Sequence, residues 1–387
     1  MSNVLTDLAA DIYKAADIVG REQVGIIPSV MINSGSERAA FGDTVRSHAT
    51  RAPTLNTSYT PSMTIPEGDD QTVDNKTMTI DQVANVQIPW TGEDIKHVNN
   101  GSGYETIYGD QIAQAMRSIT NAIEGYAGTT IKNSASRAIG TAGTTPFASN
   151  FDLIAQARQV LVDNGCPMDN QVTMALNTSA GTNLRNLAQL QKVNEAGGES
   201  LLRNGELLNL QGVMLKESAG IASHTAGTGA SYLIDLVAGY SAGDKTIHVD
   251  TGTGTLVAGD VITVADDPAA GKYVVGTGFA GDGDGDVVLN SALPSGASLV
   301  NNKAVTIGAA YTGNVVFHRN AVELVARAPE QPFGGDAAVD RMTVQDPFSG
   351  LIYEIAVYKG YGKTMIDVTT FYGVKVWKED FVATLMG

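Results

Sequence analysis

Residues 112–128 read Ile112-Ala113-Gln114-Ala115-Met116-Arg117-Ser118-Ile119-Thr120-Asn121-Ala122-Ile123-Glu124-Gly125-Tyr126-Ala127-Gly128. Extended to Tyr104 and Ser134, this is the longest helical pattern in the chain. Ile107, Ile112, Ala115, Met116, Ile119, Ala122, Ile123, Tyr126 and Ile131 return at the spacing that shares one helix face. Arg117, Asn121, Glu124 and Lys132 fall mostly off that face. Gly109, Gly125 and Gly128 each weaken an isolated helix by roughly 1 kcal/mol. A helix that tolerates them needs a sheet to lie on.

Toward the N-terminus, Leu5, Leu8, Ile12, Ala15, Ala16 and Val19 predict a short amphipathic helix. Asn3 or Thr6 starts it, and Gly20 and Gly25 end it. Residues 28–75 are rich in Pro, Thr, Ser, Gly and charge, and Pro53, Pro61 and Pro66 interrupt any regular element. Extended pieces, Leu55–Tyr59 and Ser62–Ile65, precede the polar turn Glu67-Gly68-Asp69-Asp70. The alternating run Lys76–Trp90 follows it. Together they predict a two-stranded arm over residues 54–90. Such a ribbon is marginal in water on its own, so it implies a neighbour to lie across.

Beyond the long helix the pattern becomes compact and mixed. A helix starts at Asn150-Phe151-Asp152 and stops at Asn164-Gly165. Val172–Leu176 reads as a buried strand. Thr178 or Ser179 caps a second helix holding Leu184, Leu187 and Leu190. Leu207–Lys216 reads as a strand with its turn. Residues 239–308 lose helical periodicity and become short β runs between turn clusters, the signature of a small all-β module, a barrel, inserted in the chain. Mixed structure resumes at Val315–His318. It continues as a short helix over Asn320–Arg327 and strands at Gly350–Tyr358, Lys363–Thr369 and Gly373–Trp377.

Composition narrows function. The 387 residues suit two or three domains, and 43% hydrophobic content argues against disorder. The net charge of −16 excludes a surface built to grip phosphates tightly. The single cysteine, Cys166, rules out an intrachain disulfide and a cysteine-based metal site, and it reads as a buried structural thiol. Residues 1–7 carry no basic-then-apolar leader and no run is long enough to span a bilayer, so cytosolic synthesis is expected.

Few residues suggest chemistry. Gly281-Asp282-Gly283-Asp284-Gly285-Asp286 is the sharpest motif. Asp282, Asp284 and Asp286 could gather around Ca²⁺. They lack the distal Glu and flanking helices of a calcium loop, so an acidic, flexible hairpin tip is the preferred reading. His48, His97, His224, His248 and His318 share no ligand spacing. No Gly-x-Ser-x-Gly elbow occurs. Gly252-Thr253-Gly254 lacks the lysine of a phosphate loop, and Asp266-Asp267 reads as a solvated turn. No catalytic residue and no cofactor are expected.

The order of elements resembles the P22-type coat protein family of tailed double-stranded DNA phages, whose members have the HK97-type capsid fold. Tyr104–Ser134 is similar to the family's spine helix, and Asn150–Leu187 to the opening of its A-domain. Leu256–Val264 resembles part of its inserted domain, and Phe371-Tyr372-Gly373-Val374 its C-terminal β segment. The resemblance implies an α+β chain divided as follows: N-terminal helix and arm 1–53, E-loop 54–90, P-domain 91–149, A-domain 150–238, inserted barrel 239–308, and A-domain return with C-terminal P-domain strands 309–387. It implies a non-enzymatic major capsid protein found in the virion and assembled in the host bacterial cytoplasm. Its partners would be itself in hexamers and pentamers, a scaffolding protein, a portal protein and weakly contacted packaged DNA, with no membrane. Glu67, Asp69, Asp70 and Lys76 on the E-loop become candidate contacts between subunits. The alternatives are another phage structural subunit, from a tail or decoration, or a calcium-binding surface protein.

Overall fold

A computed structural model describes residues 23–35, 37–50, 57–65, 67, 73–98, 104–192, 207, 209–281, 283–346 and 349–387. The helix expected between Leu5 and Val19 lies outside them.

The long helix spans Tyr104–Asn133. Ile112, Ile119, Ile123, Ala127 and Ile131 are at most 2% exposed and enter the largest core, as their spacing requires. That core is shared with a six-stranded sheet. Its order is Met31–Ser34, Val322–Arg327, Lys363–Val376, Ile352–Lys359 and Ala338–Gln345, with Gln82–Thr91 also paired to Lys363–Val376. A second layer builds on Val382–Met386, Tyr311–His318, Val172–Leu176 and Val213–Glu217. The helices Asp152–Asp163 and Thr178–Asn186 cover it, and Cys166 is buried in its core. Asn177 caps the second helix through the Ala180 amide, in place of the expected Thr178 or Ser179.

The third body is a closed ring of six antiparallel strands. Val261–Val264 pairs with Ala304–Ile307, then Tyr232–Ile234, Thr246–Gly252, Gly283–Leu289 and Tyr273–Thr277 follow, and the last returns to the first. The ring takes in Tyr232–Ile234, which lies before residue 239, and encloses its own apolar core. The pair Tyr273–Arg137 links it to the second layer. Asn290 donates to the carbonyls of Asn133 (2.7 Å) and Ala135 (2.9 Å), closing the C-terminal end of the long helix.

Several expectations need correction. The ribbon is Thr44–Thr50 paired with Val73–Thr79, not an arm over 54–90. Residues 57–65 hold no strand, and Gln82–Thr91 belongs to the main sheet. The apolar alternation runs through the corner at Ile80-Asp81 unbroken, so the sequence hides it. Backbone bonds from Gly42 to Ile80 and from Ile80 to Asp43 clasp that corner, and Tyr126 donates to Asp81. Val322–Arg327 is a strand rather than a helix. All six side chains are buried because the sheet is covered on both faces, so no two-residue alternation survives. Lys363–Val376 is one continuous strand, with Gly373 pressed against the Thr79 carbonyl. Asp267 is buried, not solvated, and accepts from the Tyr273 hydroxyl at 2.6 Å.

The largest departure is Glu124, which is 2% exposed. Its Oε1 accepts from the amides of Gly25 (2.8 Å) and Ile26 (2.7 Å) and from Ser218 Oγ (2.7 Å), and its Oε2 from the amide of Ile27 (2.9 Å). A buried carboxylate is tolerated only with such donors. Gly128 and Gly220 make room: a Cβ on Gly128 would lie 3.1 Å from Ile26 Cδ1, and one on Gly220 2.7 Å from Glu124 Cγ.

Two more buried glutamates fasten the same N-terminal strap. Glu323 accepts from Asn33 Nδ2 (2.8 Å) and Trp377 Nε1 (2.7 Å), and Glu354 lies between Arg38 and Arg341. The strand Met31–Ser34 pairs in parallel with Val322–Arg327 between these anchors. Glu124→Ala strands three amides in the core and is expected to lower unfolding stability by about 3–5 kcal/mol. Glu124→Gln, which keeps one acceptor oxygen, costs less. Exposed Glu330→Ala should change it by less than about 0.5 kcal/mol. Urea unfolding of the three variants reads the order.

Candidate assembly surfaces

The residues singled out from the sequence fall in three places. Glu67 is exposed, and Asp69 and Asp70 lie outside the described residues. Lys76 is half-buried at the ribbon base and donates to the Trp377 carbonyl at 2.5 Å. Its ammonium therefore serves its own chain. Below it, Met78 and Ile80 pack with Ala39, Val325 and Trp377, so the ribbon has a firm footing. Between the two ribbon strands, Tyr59, Met63 and Ile65 are more than 90% exposed.

The Gly-Asp repeat is not a hairpin tip. From Gly283 onward it is a strand, paired through Gly285, Asp286, Val287 and Val288 to Thr246–Gly252. Alternation explains its composition. Asp284 and Asp286 point outward, while a Cβ on Gly285 would lie 3.0 Å from the Phe279 ring. Gly252, on the partner strand, faces Tyr232, whose ring meets Phe279 edge-on at 5.3 Å.

His248 sits between the outward carboxylates. Its Nδ1 is 2.6 Å from Asp286 Oδ1 and its Nε2 is 3.4 Å from Asp284 Oδ1. The hydrogen bond to Asp286, aided by the charges of Asp284 and Asp235, holds the imidazole pKa above its ordinary 6.5 against a smaller opposing effect of burial. Asp282 lies outside the described residues. Among the described residues no group of three or more His, Cys, Asp or Glu has the geometry to hold a metal.

Two other histidines are buried with carboxylates. His318 Nε2 lies 3.0 Å from Asp169 Oδ1. His224 bridges Lys132 Nζ (3.3 Å) and Asp260 Oδ1 (2.9 Å), joining the end of the long helix to the ring. Burial holds the Lys132 ammonium below its usual range. Burial, followed by the Asp169 charge, pushes the Cys166 thiol up to about 11, which keeps it protonated and inert. No local spacing marks the Lys132–His224–Asp260 chain, because its members are 92 and 36 residues apart.

No family model and no curated protein matches the chain. Solved structures do. A chain of Mycobacterium phage Che8 aligns at 14% identity and TM-score 0.50, covering 95% of this chain and 94% of that one. A chain from the capsid structure of the cyanophage P-SCSP1u aligns at 12% identity and TM-score 0.51, covering 95% and 89%. This chain therefore has a fold of the kind seen in a phage capsid. Among the described residues no helix is long and apolar enough to cross a membrane.

His248 yields a pH prediction. Its folded pKa is raised, so its contribution to stability is full below about 6.5 and fades as pH rises through the folded value. Between pH 6 and 8.5 the thermal midpoint of the wild type should fall more than that of His248→Gln. Equal falls would refute the assignment.

Proposed function

We propose that this chain is the major capsid protein of a tailed phage, a structural subunit that assembles with copies of itself into an icosahedral head. The observation that carries this reading is the likeness to the cyanophage capsid chain over 95% of this chain. The surfaces agree with it. A ribbon anchored at one end leads to a segment whose tyrosine, methionine and isoleucine find no cover among the described residues. An acidic surface suits a wall past which packaged DNA slides, since contacts that neutralise phosphates are scarce.

In this reading the HK97-type parts fall as follows. Residues 23–43 belong to the N-terminal arm, and residues around 44–79 to the E-loop. Residues 82–149 with the long helix belong to the P-domain, 150–230 to the A-domain, the ring near 231–308 is an inserted barrel domain, and 309–387 completes the A- and P-domains. Glu67, with Asp69 and Asp70, would meet a neighbouring subunit, since Lys76 is engaged at home. Scaffolding and portal proteins would be further partners, and the bacterial cytoplasm the place of assembly.

The chain co-expressed with the scaffolding protein of its own genome is expected to yield closed shells in negative-stain micrographs. Persistent monomers under those conditions would sink the reading. Tubes without closed shells would favour a tail subunit instead.

A further inference from the structure

An exposed turn flanked by two lysines stands at one end of the main sheet. The turn Gly360-Tyr361-Gly362 joins the strands Ile352–Lys359 and Lys363–Val376, and the Gly360 amide donates to the Lys363 carbonyl at 2.8 Å. Tyr361 is fully exposed, and so is Phe333 on the loop leading to Ala338–Gln345. Asp336 pins that loop to the same end of the sheet through Arg341 and the Tyr358 hydroxyl (2.8 Å). Lys359 and Lys363 flank Tyr361. Lys96 lies in the short helix Gly92–Val98, which leaves the sheet where Thr91 pairs with Lys363. All three lysines are exposed, but Glu93 and Asp94 on the same short helix are exposed too and offset Lys96, so the positive charge rests on Lys359 and Lys363. In a chain of net charge −16, exposed aromatics with two flanking lysines form a surface suited to an acidic partner.

That end is fixed at the start of the long helix, where Trp90 packs on Tyr108 with ring centres 6.3 Å apart. The ring of strands is fixed at the other end, through Asn290 on Asn133. The helix has 30 residues, about 45 Å at 1.5 Å per residue. On the ring, Asp235, Asp284 and Asp286 surround His248 in an exposed ridge. The helix holds turn and ridge too far apart to meet within one chain.

We propose that the Tyr361 turn, with Phe333 beside it, docks on a second copy of this chain against the acidic ridge around His248. The proposal rests on the shell-subunit reading and specifies one of its contacts. Because two different surfaces meet, the contact is head-to-tail, and repetition produces rings when the rotation closes. Both surfaces are solvated before they meet, so salt weakens the approach, with screening over about 8 Å at physiological ionic strength.

The test is assembly followed by light scattering and micrographs, with circular dichroism to confirm folding of each variant. Lys359→Glu with Lys363→Glu is expected to slow assembly at least tenfold. Asp284→Lys with Asp286→Lys should do the same. The four changes together should restore assembly, because the charges are exchanged. Tyr361→Ser, at a position with no packing to lose, should also slow it tenfold or more. Wild-type rates for the lysine variant, or a folded fourfold variant that stays unassembled, overturn the contact while leaving the shell reading intact. Wild-type protein that forms no shell overturns both.

Discussion

A carboxylate with almost no access to water sets the geometry of this molecule. Glu124 lies on the long helix and draws three consecutive amides of the N-terminal strap and one hydroxyl from the second layer onto its two oxygens. Each donor offsets part of the desolvation of the anion, and the anion in turn satisfies amides that no strand or helix serves. Removing either side leaves the other buried and unpaired, so helix, strap and Ser218 hold one another in a single arrangement. Glu323 and Glu354 repeat the device along the strap, at Asn33 and Arg38. The strap is thus held by discrete polar anchors, and its one strand in the main sheet is only four residues long.

The rest of the architecture follows from what the long helix can carry. Its apolar face lies on the main sheet and the second layer, and its C-terminal carbonyls are closed by the ring. The Lys132–His224–Asp260 chain adds a second tie at that end, and Tyr311 reaches the Gly259 carbonyl at 2.7 Å. The ring is bound at its base and open on its outer face. The ribbon is fastened in the same way by Met78, Ile80 and Lys76, and Tyr59, Met63 and Ile65 between its strands are bare. Rigid roots with uncovered ends suit a part made to be completed by other parts.

How much of this was legible depended on whether the signal was local. The long helix, the helix after Asp152 and the β character of residues 239–308 follow from periodicity, and the structure agrees within a residue or two for the helices. The strand Val322–Arg327 was misread because burial on both faces erases the alternation that distinguishes strand from helix. The ribbon was misplaced because the corner at Asp81 leaves the alternation unbroken. Glu124 and Lys132 look solvated in sequence, and only partners about a hundred residues away reveal that they are buried. The Gly-Asp repeat resembles a loop by composition. Its Gly285 answers to Phe279, and on the facing strand Gly252 answers to Tyr232, packing that no spacing rule reports.

The strap also has a consequence in time. Asn33 waits for Glu323, Arg38 for Glu354, and Lys76 for Trp377, partners separated by up to 316 residues. During synthesis these early residues leave the ribosome long before their acceptors exist. Chains fold N-terminal parts first when they can, and here they cannot. This segment is made before its partners and is seated only after them, so the main sheet is completed only once residues 323–377 have been made. A nascent chain is thereby kept from presenting a finished ribbon to its neighbours on the same polysome.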